Sequence, residues 1–264
     1  MIATLLGLCI GISLGLTGAG GGILAVPALM FGLGMTLAQA APVALIAVGA
    51  AAAVGAAEGL RRGLVRYKAA LLMAVAGGLA APVGLRLAHQ VPPAWLNWGF
   101  AAVMLLVAAR MFRQSLPRAA GAGHTSAPTG KACRLSPETG RFVWTRRAAT
   151  TLGSIGAASG LCTGMLGVGG GFIIVPALAH FSDARMHSIV STSLMVIALV
   201  SAATVVSAAA HGLSISGAQW AFVAAAVAGM AAGRVLAPRV PQTALQRVFA
   251  AVCAVVAAVL MWRA

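Results

Sequence analysis

Apolar residues along this chain gather into long blocks separated by short polar connections. Six blocks, at 36–58, 69–90, 94–113, 187–210, 217–237 and 243–262, each predict a helix able to cross the ~30 Å hydrocarbon layer, which takes about 20 residues. Two more apolar regions, 2–34 and 150–181, are interrupted near their middles by clusters of glycine. Between the halves, 114–146 is rich in Pro, Gly, Ser, Thr and Arg, and reads as a loosely structured basic loop. The pattern predicts an all-α, polytopic integral membrane protein. Its organisation would be a first transmembrane repeat over 1–113, a basic cytoplasmic linker loop over 114–146 and a second repeat over 147–264.

Composition supports the membrane reading. Hydrophobic residues make up 61% of the 264 and charged ones 8%, against roughly a quarter charged in a soluble domain. Lys and Arg outnumber Asp and Glu 18 to 3. The basic residues fall between apolar blocks with almost no aromatic interleaving, so they set topology and no nucleic-acid partner is expected. Cys9, Cys133, Cys162 and Cys253 are scattered, with no CxxC pair and no His at ligand spacing, and read as free thiols with no metal and no cofactor. The first residues, MIATLLGLCIGISLGL, lack the basic n-region of a secretory signal and are expected to be retained.

The glycine stretch occurs twice. GLTGAGGGILAVPAL at 15–29 returns as GMLGVGGGFIIVPAL at 164–178, an offset of 149 residues. The same offset places Gly7 and Gly11 on Gly156 and Gly160, and Gly84, Leu87, Ala88, Val91, Pro92 and Phe100 on Gly233, Leu236, Ala237, Val240, Pro241 and Phe249. Two copies aligned without net insertion point to a duplicated transporter.

Loop charge orients the copies, because short cytoplasmic loops collect Lys and Arg. The connection 59–68 carries Arg61, Arg62, Arg66 and Lys68, whereas its counterpart 208–217 carries none; Arg185, Arg234 and Arg239 reverse the bias elsewhere. Inverted copies leave only Arg86 and Arg263 outside, and parallel copies leave five basic residues there. Inversion needs an odd number of crossings per half, so each glycine-rich region should contribute an even number, as a re-entrant hairpin or as two short crossings. As helices, 2–17 would measure about 24 Å and 23–34 about 18 Å, which predicts a hairpin reaching mid-depth.

Non-helical backbone at membrane depth survives only where protein buries it or water fills a cavity. Glycine permits tight turns and close ligand approach, and helices starting after Gly22 and Gly171 would aim free N–H groups and positive dipole ends at the break. Such a site prefers an anion. Gly7, Gly11 and Gly15, with Gly156, Gly160 and Gly164, are spaced by four and suit close helix packing instead. A nucleotide-phosphate loop is excluded, since neither GK[ST] nor a GxGxxG register is formed.

Ser191, Thr192 and Ser193 offer hydroxyls that either donate to an oxyanion or bond back to their own helix; Pro42, Val43 and Ala44 stand at the equivalent first-half positions. Glu58, Asp183, His180, His187 and His211 fall near helix ends, and Glu138 lies in the polar loop. No catalytic set is evident, and an enzyme is not expected.

The duplicated GxGGGxxxVPAL pattern at 18–29 and 167–178, with STSL at 191–194, resembles the sulfite exporter TauE/SafE family of membrane transporters over nearly the whole chain outside 114–146. That resemblance implies a multi-pass inner-membrane permease for small anions, often sulfur-containing ones such as sulfite, sulfoacetate or thiosulfate. It marks Gly20, Gly21, Gly22 and Pro27, with Gly169, Gly170, Gly171 and Pro176, as motif positions. The substrate site expected is Thr17, Gly18, Gly20, Gly21, Gly22 and Pro27 with Gly167, Gly169, Gly170, Gly171, Pro176, Ser191, Thr192 and Ser193, working by alternating access. The partners expected are the anion and the lipid bilayer, with homodimerisation open. The alternative is a membrane assembly or scaffold subunit whose glycines only pack helices.

Overall fold

The computed structural model describes residues 2–18, 21–115, 145–182, 185–209, 216–237 and 242–263. Nearly all of the 114–146 loop, with Gly20, Cys133, Asp183 and His211, therefore lies outside the described residues.

The described chain is helical throughout. In order it forms α1 (Ile2–Thr17), a 3₁₀ turn (Gly21–Leu24), α2 (Ala25–Leu33), α3 (Leu37–Arg61), α4 (Tyr67–Gln90), α5 (Pro93–Ser115), α6 (Arg146–Leu166), α7 (Gly171–Phe181), α8 (Met186–Ala209), α9 (Gly217–Leu236) and α10 (Gln242–Arg263). Six of these, α3, α4, α5, α8, α9 and α10, are long and apolar enough to cross a membrane, and they fall on the six blocks read from the sequence. Helix starts carry local signals. Thr36 with Gln39, and Ser216 with Gln219, form capping boxes at α3 and α9, and the Thr145 hydroxyl accepts from Ala148 N at the start of α6. That cap begins α6 earlier than the apolar run does, because the polar Arg146–Thr151 turn belongs to the helix without belonging to its apolar part.

The helices pair across the duplication. α1 lies along α9, and α6 along α4. Gly7, Gly11 and Gly15 face Phe222, Ala226 and Met230 in rising order, and Gly156, Gly160 and Gly164 face Met73, Gly77 and Ala81, so both pairs run parallel. At Gly15 an added Cβ would lie 2.7 Å from Met230 O. Only glycine lets the backbones come this close, so the six glycines spaced by four do sit at helix contacts. In contrast α3 and α8, which hold equivalent places in the two copies, run antiparallel: Gly49 meets Ser201, Gly55 meets Leu194 and Gly59 meets Ser191.

Chain direction then collects positive charge at one end. The start of α8 meets the 59–68 connection through Ser188 Oγ, which donates to Leu64 O at 2.6 Å. Arg66 N donates to Thr192 Oγ1 at 3.1 Å. The C-terminal turn of α9 joins the same end through Arg234 and Glu58, 2.7 Å apart.

Each glycine-rich region folds back on itself. Gly32 of α2 packs on Leu6 and Ile2 of α1, and Gly170 at the start of α7 packs on Ser159 and Thr163 of α6. The first fold-back is deeper than its helix lengths suggest. α1 runs beside α9 from Phe222 to Arg234, so its tip lies level with the far end of a full-length helix. Helix α1, 16 residues long, covers most of that distance itself, since Gly15 is still helical where it meets Met230 and Arg234.

Two glycine replacements on α6 should separate close packing from free surface. Gly160→Ala forces a methyl against the Gly77 carbonyl and should lower stability by about 1–3 kcal/mol. Gly153→Ala meets nothing within 4 Å and should raise it by up to ~1 kcal/mol. Thermal unfolding in detergent measures both, and equal midpoints would contradict this packing.

Candidate functional site

Both breaks are held by backbone conformations that favour glycine. Gly18 has φ +84°, and Gly167, Gly169 and Gly170 have φ +72°, +72° and +65°, a region that side chains with a Cβ rarely occupy. Gly18 N donates to Leu14 O and Gly167 N to Thr163 O, at 2.8 and 2.9 Å, closing α1 and α6.

The copies then differ. After the first break Thr17 Oγ1 donates to Ser13 O at 2.6 Å and accepts from Gly21 N at 2.9 Å, and a 3₁₀ turn precedes α2. After the second, α7 starts directly at Gly171 with Gly170 as its N-cap, and Ile173 N and Ile174 N both return to Gly170 O, at 3.0 and 3.3 Å. Pro27 therefore sits in the first turn of α2, where a missing N–H costs little. Pro176 lies one turn deeper in α7, and its carbonyl accepts from Arg110 Nη2 at 3.4 Å.

Each break is completed by the other half of the chain. Gly18 packs against Val190 of α8, and Gly167 against Ala41 of α3. The two then converge. A Cβ on Gly22 would lie 2.9 Å from Val48 Cγ1 and 3.5 Å from Val168 O, and one on Gly169 would lie 3.3 Å from Val48 Cγ1 and 3.2 Å from Ile197 Cγ2. Gly21, Gly22 and Val168 through Gly171 are all buried.

Ser191, Thr192 and Ser193 follow the second break in sequence but adjoin the first in space, one residue on from Val190. All three are buried. Ser193 Oγ donates to Ile189 O at 2.6 Å, Thr192 Oγ1 accepts from Arg66 N, and Ser191 packs on Gly59. The side-chain groups of Thr17, Thr192 and Ser193 thus have protein partners in this conformation.

Sequence reasoning passed over two groups of residues. Ser159, Thr163 and Ser201 surround Gly169 and Gly170; the signal was present as three hydroxyls where the first copy has Ile10, Leu14 and Ala52. The second group is Glu58, which joins Arg62 at 2.6 Å and Arg234 at 2.7 Å, while Arg234 Nη1 donates to Gly55 O at 3.2 Å. Sequence placed Glu58 at a helix end but gave no hint that Arg234 reaches it from 176 positions away, a link that straps α3 to α9 beside the first break.

A bundle of six membrane-length helices, with two buried helix breaks converging between them, defines an integral, multi-pass membrane protein. Residues 3–260 match the family model described as Sulfite exporter TauE/SafE, and the chain belongs to that family of membrane transporters. It is also similar to two curated proteins, each named "Probable membrane transporter protein", from Xylella fastidiosa strains Temecula1 / ATCC 700964 and 9a5c. Each is 27% identical over 257 residues, covering 96% of this chain and 92% of the relative. No solved structure matches significantly.

Glu58→Gln removes the counter-charge of Arg234, whose side chain is only 17% exposed. Stability should fall by about 1–2 kcal/mol, between the values for exposed and buried pairs, and Glu58→Gln with Arg234→Gln should recover part of it. Thermal midpoints of the three proteins check this.

Proposed function

We propose that this protein is an inner-membrane permease for small anions, of the sulfur oxyanion or sulfonate class, working by alternating access around its paired glycine breaks. The observation that carries the reading is the convergence of Gly22 with Val168 and Gly169 on Val48, where irregular backbone from both halves is buried together. Backbone N–H groups at such breaks bind anions without a lysine or arginine, because each helix start leaves its first donors without intrahelical partners.

The antiparallel run of α3 and α8 supports an inverted repeat: copies related by an axis along the membrane normal would keep equivalent helices parallel, and an axis in the membrane plane reverses them. The shared basic end, with Arg61, Arg62, Arg66 and Arg234, then faces the cytoplasm. The anion site comprises the buried glycines of the two breaks, with Gly20 among them by its place in the motif. Thr17 holds the first break in shape, and Pro27 and Pro176 fix the helices that leave it. The 191–193 hydroxyls contribute if their present bonds exchange when the site opens. Burial of every described glycine from Gly21 to Gly22 and from Gly167 to Gly171 corresponds to an occluded state, and rocking of one half against the other would expose the site to each side in turn.

Gly170→Val and Gly21→Val should each abolish counterflow of labelled sulfite, methanesulfonate and thiosulfate in proteoliposomes while leaving membrane insertion intact; normal flux in both would overturn the backbone site. A wild-type protein that moves none of these anions and co-purifies with a fixed membrane partner would favour the scaffold reading.

Topology has its own readout. In a cysteine-free background, Arg61→Cys and Ser216→Cys should react with an impermeant thiol reagent from opposite faces of the membrane. Labelling of both from one face would contradict inversion.

A further inference from the structure

The two breaks are chemically unequal. Ser159 on α6 and Ser201 on α8 are each 1% exposed, and among the described residues neither hydroxyl has a hydrogen-bond partner. Both sit at the second break. Ser159 Oγ lies where a Cβ on Gly170 would fall, and Ser201 Oγ would be 3.9 Å from a Cβ on Gly169. Thr163, fully buried beside them, donates to Ser159 O at 2.8 Å and so fixes the turn of α6 that carries Ser159. Gly170 is also the N-cap of α7, a helix of 11 residues, whose first N–H groups have no intrahelical acceptor.

Buried hydroxyls without partners are uncommon and costly, and a polar ligand removes the cost. The first break offers no equivalent. Its matching positions are Ile10, Leu14 and Ala52, all buried and apolar, and Gly21 N is already taken by Thr17 Oγ1.

We infer that the anion takes its hydrogen bonds at the second break, from the Ser159 and Ser201 hydroxyls and the first N–H groups of α7, with the buried glycines of the first break closing the site. This rests on the transport reading and narrows it. The donors come from three separate helices, so they suit an ion that presents several oxygens in different directions. A sulfite ion or a sulfonate headgroup meets that requirement, and a spherical halide does not. The unequal breaks also make an exchange of function between the copies impossible, although their sequences align residue for residue.

The test is counterflow of radiolabelled sulfite in proteoliposomes by wild type, Ser159→Ala, Ser201→Ala and the double variant, with thermal midpoints of the anion-free proteins. Each single variant should raise the half-saturating sulfite concentration about tenfold, as expected for one hydrogen bond to a charged group, and the double variant more. Midpoints should stay equal or rise, because an unpartnered hydroxyl is being removed; this also shows that the variants fold. Wild-type transport with unchanged half-saturation in the double variant overturns the inference and leaves the transport reading standing, the hydroxyls then serving a buried water. A fall in midpoint with unchanged half-saturation overturns it in favour of a structural role. Wild type that moves no sulfite or methanesulfonate overturns the transport reading and this inference together.

Discussion

Backbone without hydrogen-bond partners cannot face lipid, and the arrangement of this chain follows from where its interrupted helices are hidden. Both interruptions are enclosed by helices of the opposite half, α8 and α9 around the first and α3 and α4 around the second. That enclosure needs backbones to approach within a side chain's width, which the glycines on α1, α4, α6 and α9 allow. The same residue type therefore serves two ends: spaced by four it lets helices touch, and clustered it lets a helix stop.

Exchange between the halves also explains why neither is a self-contained unit. α1 has its main partner in α9 and α6 in α4, so removing either half would strip a glycine-lined face from the other. The antiparallel α3–α8 pair forms the seam, with Val48 and Ile197, equivalent residues of the two copies, both lying against Gly169. Polar and charged groups are distributed unevenly around the seam: the Glu58–Arg234 pair lies beside the first break, and Ser159, Thr163 and Ser201 surround the second.

This unevenness matters for the proposed transport cycle. A symmetric pair of sites would present the anion with the same environment from either face of the membrane. Here one break is closed by its own threonine and a 3₁₀ turn, and the other leaves the start of α7 uncapped by any side chain. The strap of α3 to α9 by Glu58 and Arg234 stands next to the first break and ties the two halves together there.

Much of this was legible in the sequence because bilayer thickness sets a length and the duplication sets a register. The six long helices lie on the six apolar blocks, and the glycines spaced by four occupy helix contacts, since both features depend only on local composition and period. The polar first turn of α6 carries no apolar signal, so the apolar run alone marks that helix late. The pairing of α1 with α9, the place of Ser191–Ser193 beside the first break and the placing of Ser159 and Ser201 around the second were not legible. Each depends on which face of a helix turns toward a partner distant in sequence, and a uniformly apolar helix does not mark its faces. Composition and repetition determined what the elements are; only packing around the two breaks decided which side chains surround them, because the same apolar helices satisfy lipid in many rotations but bury a broken backbone in few.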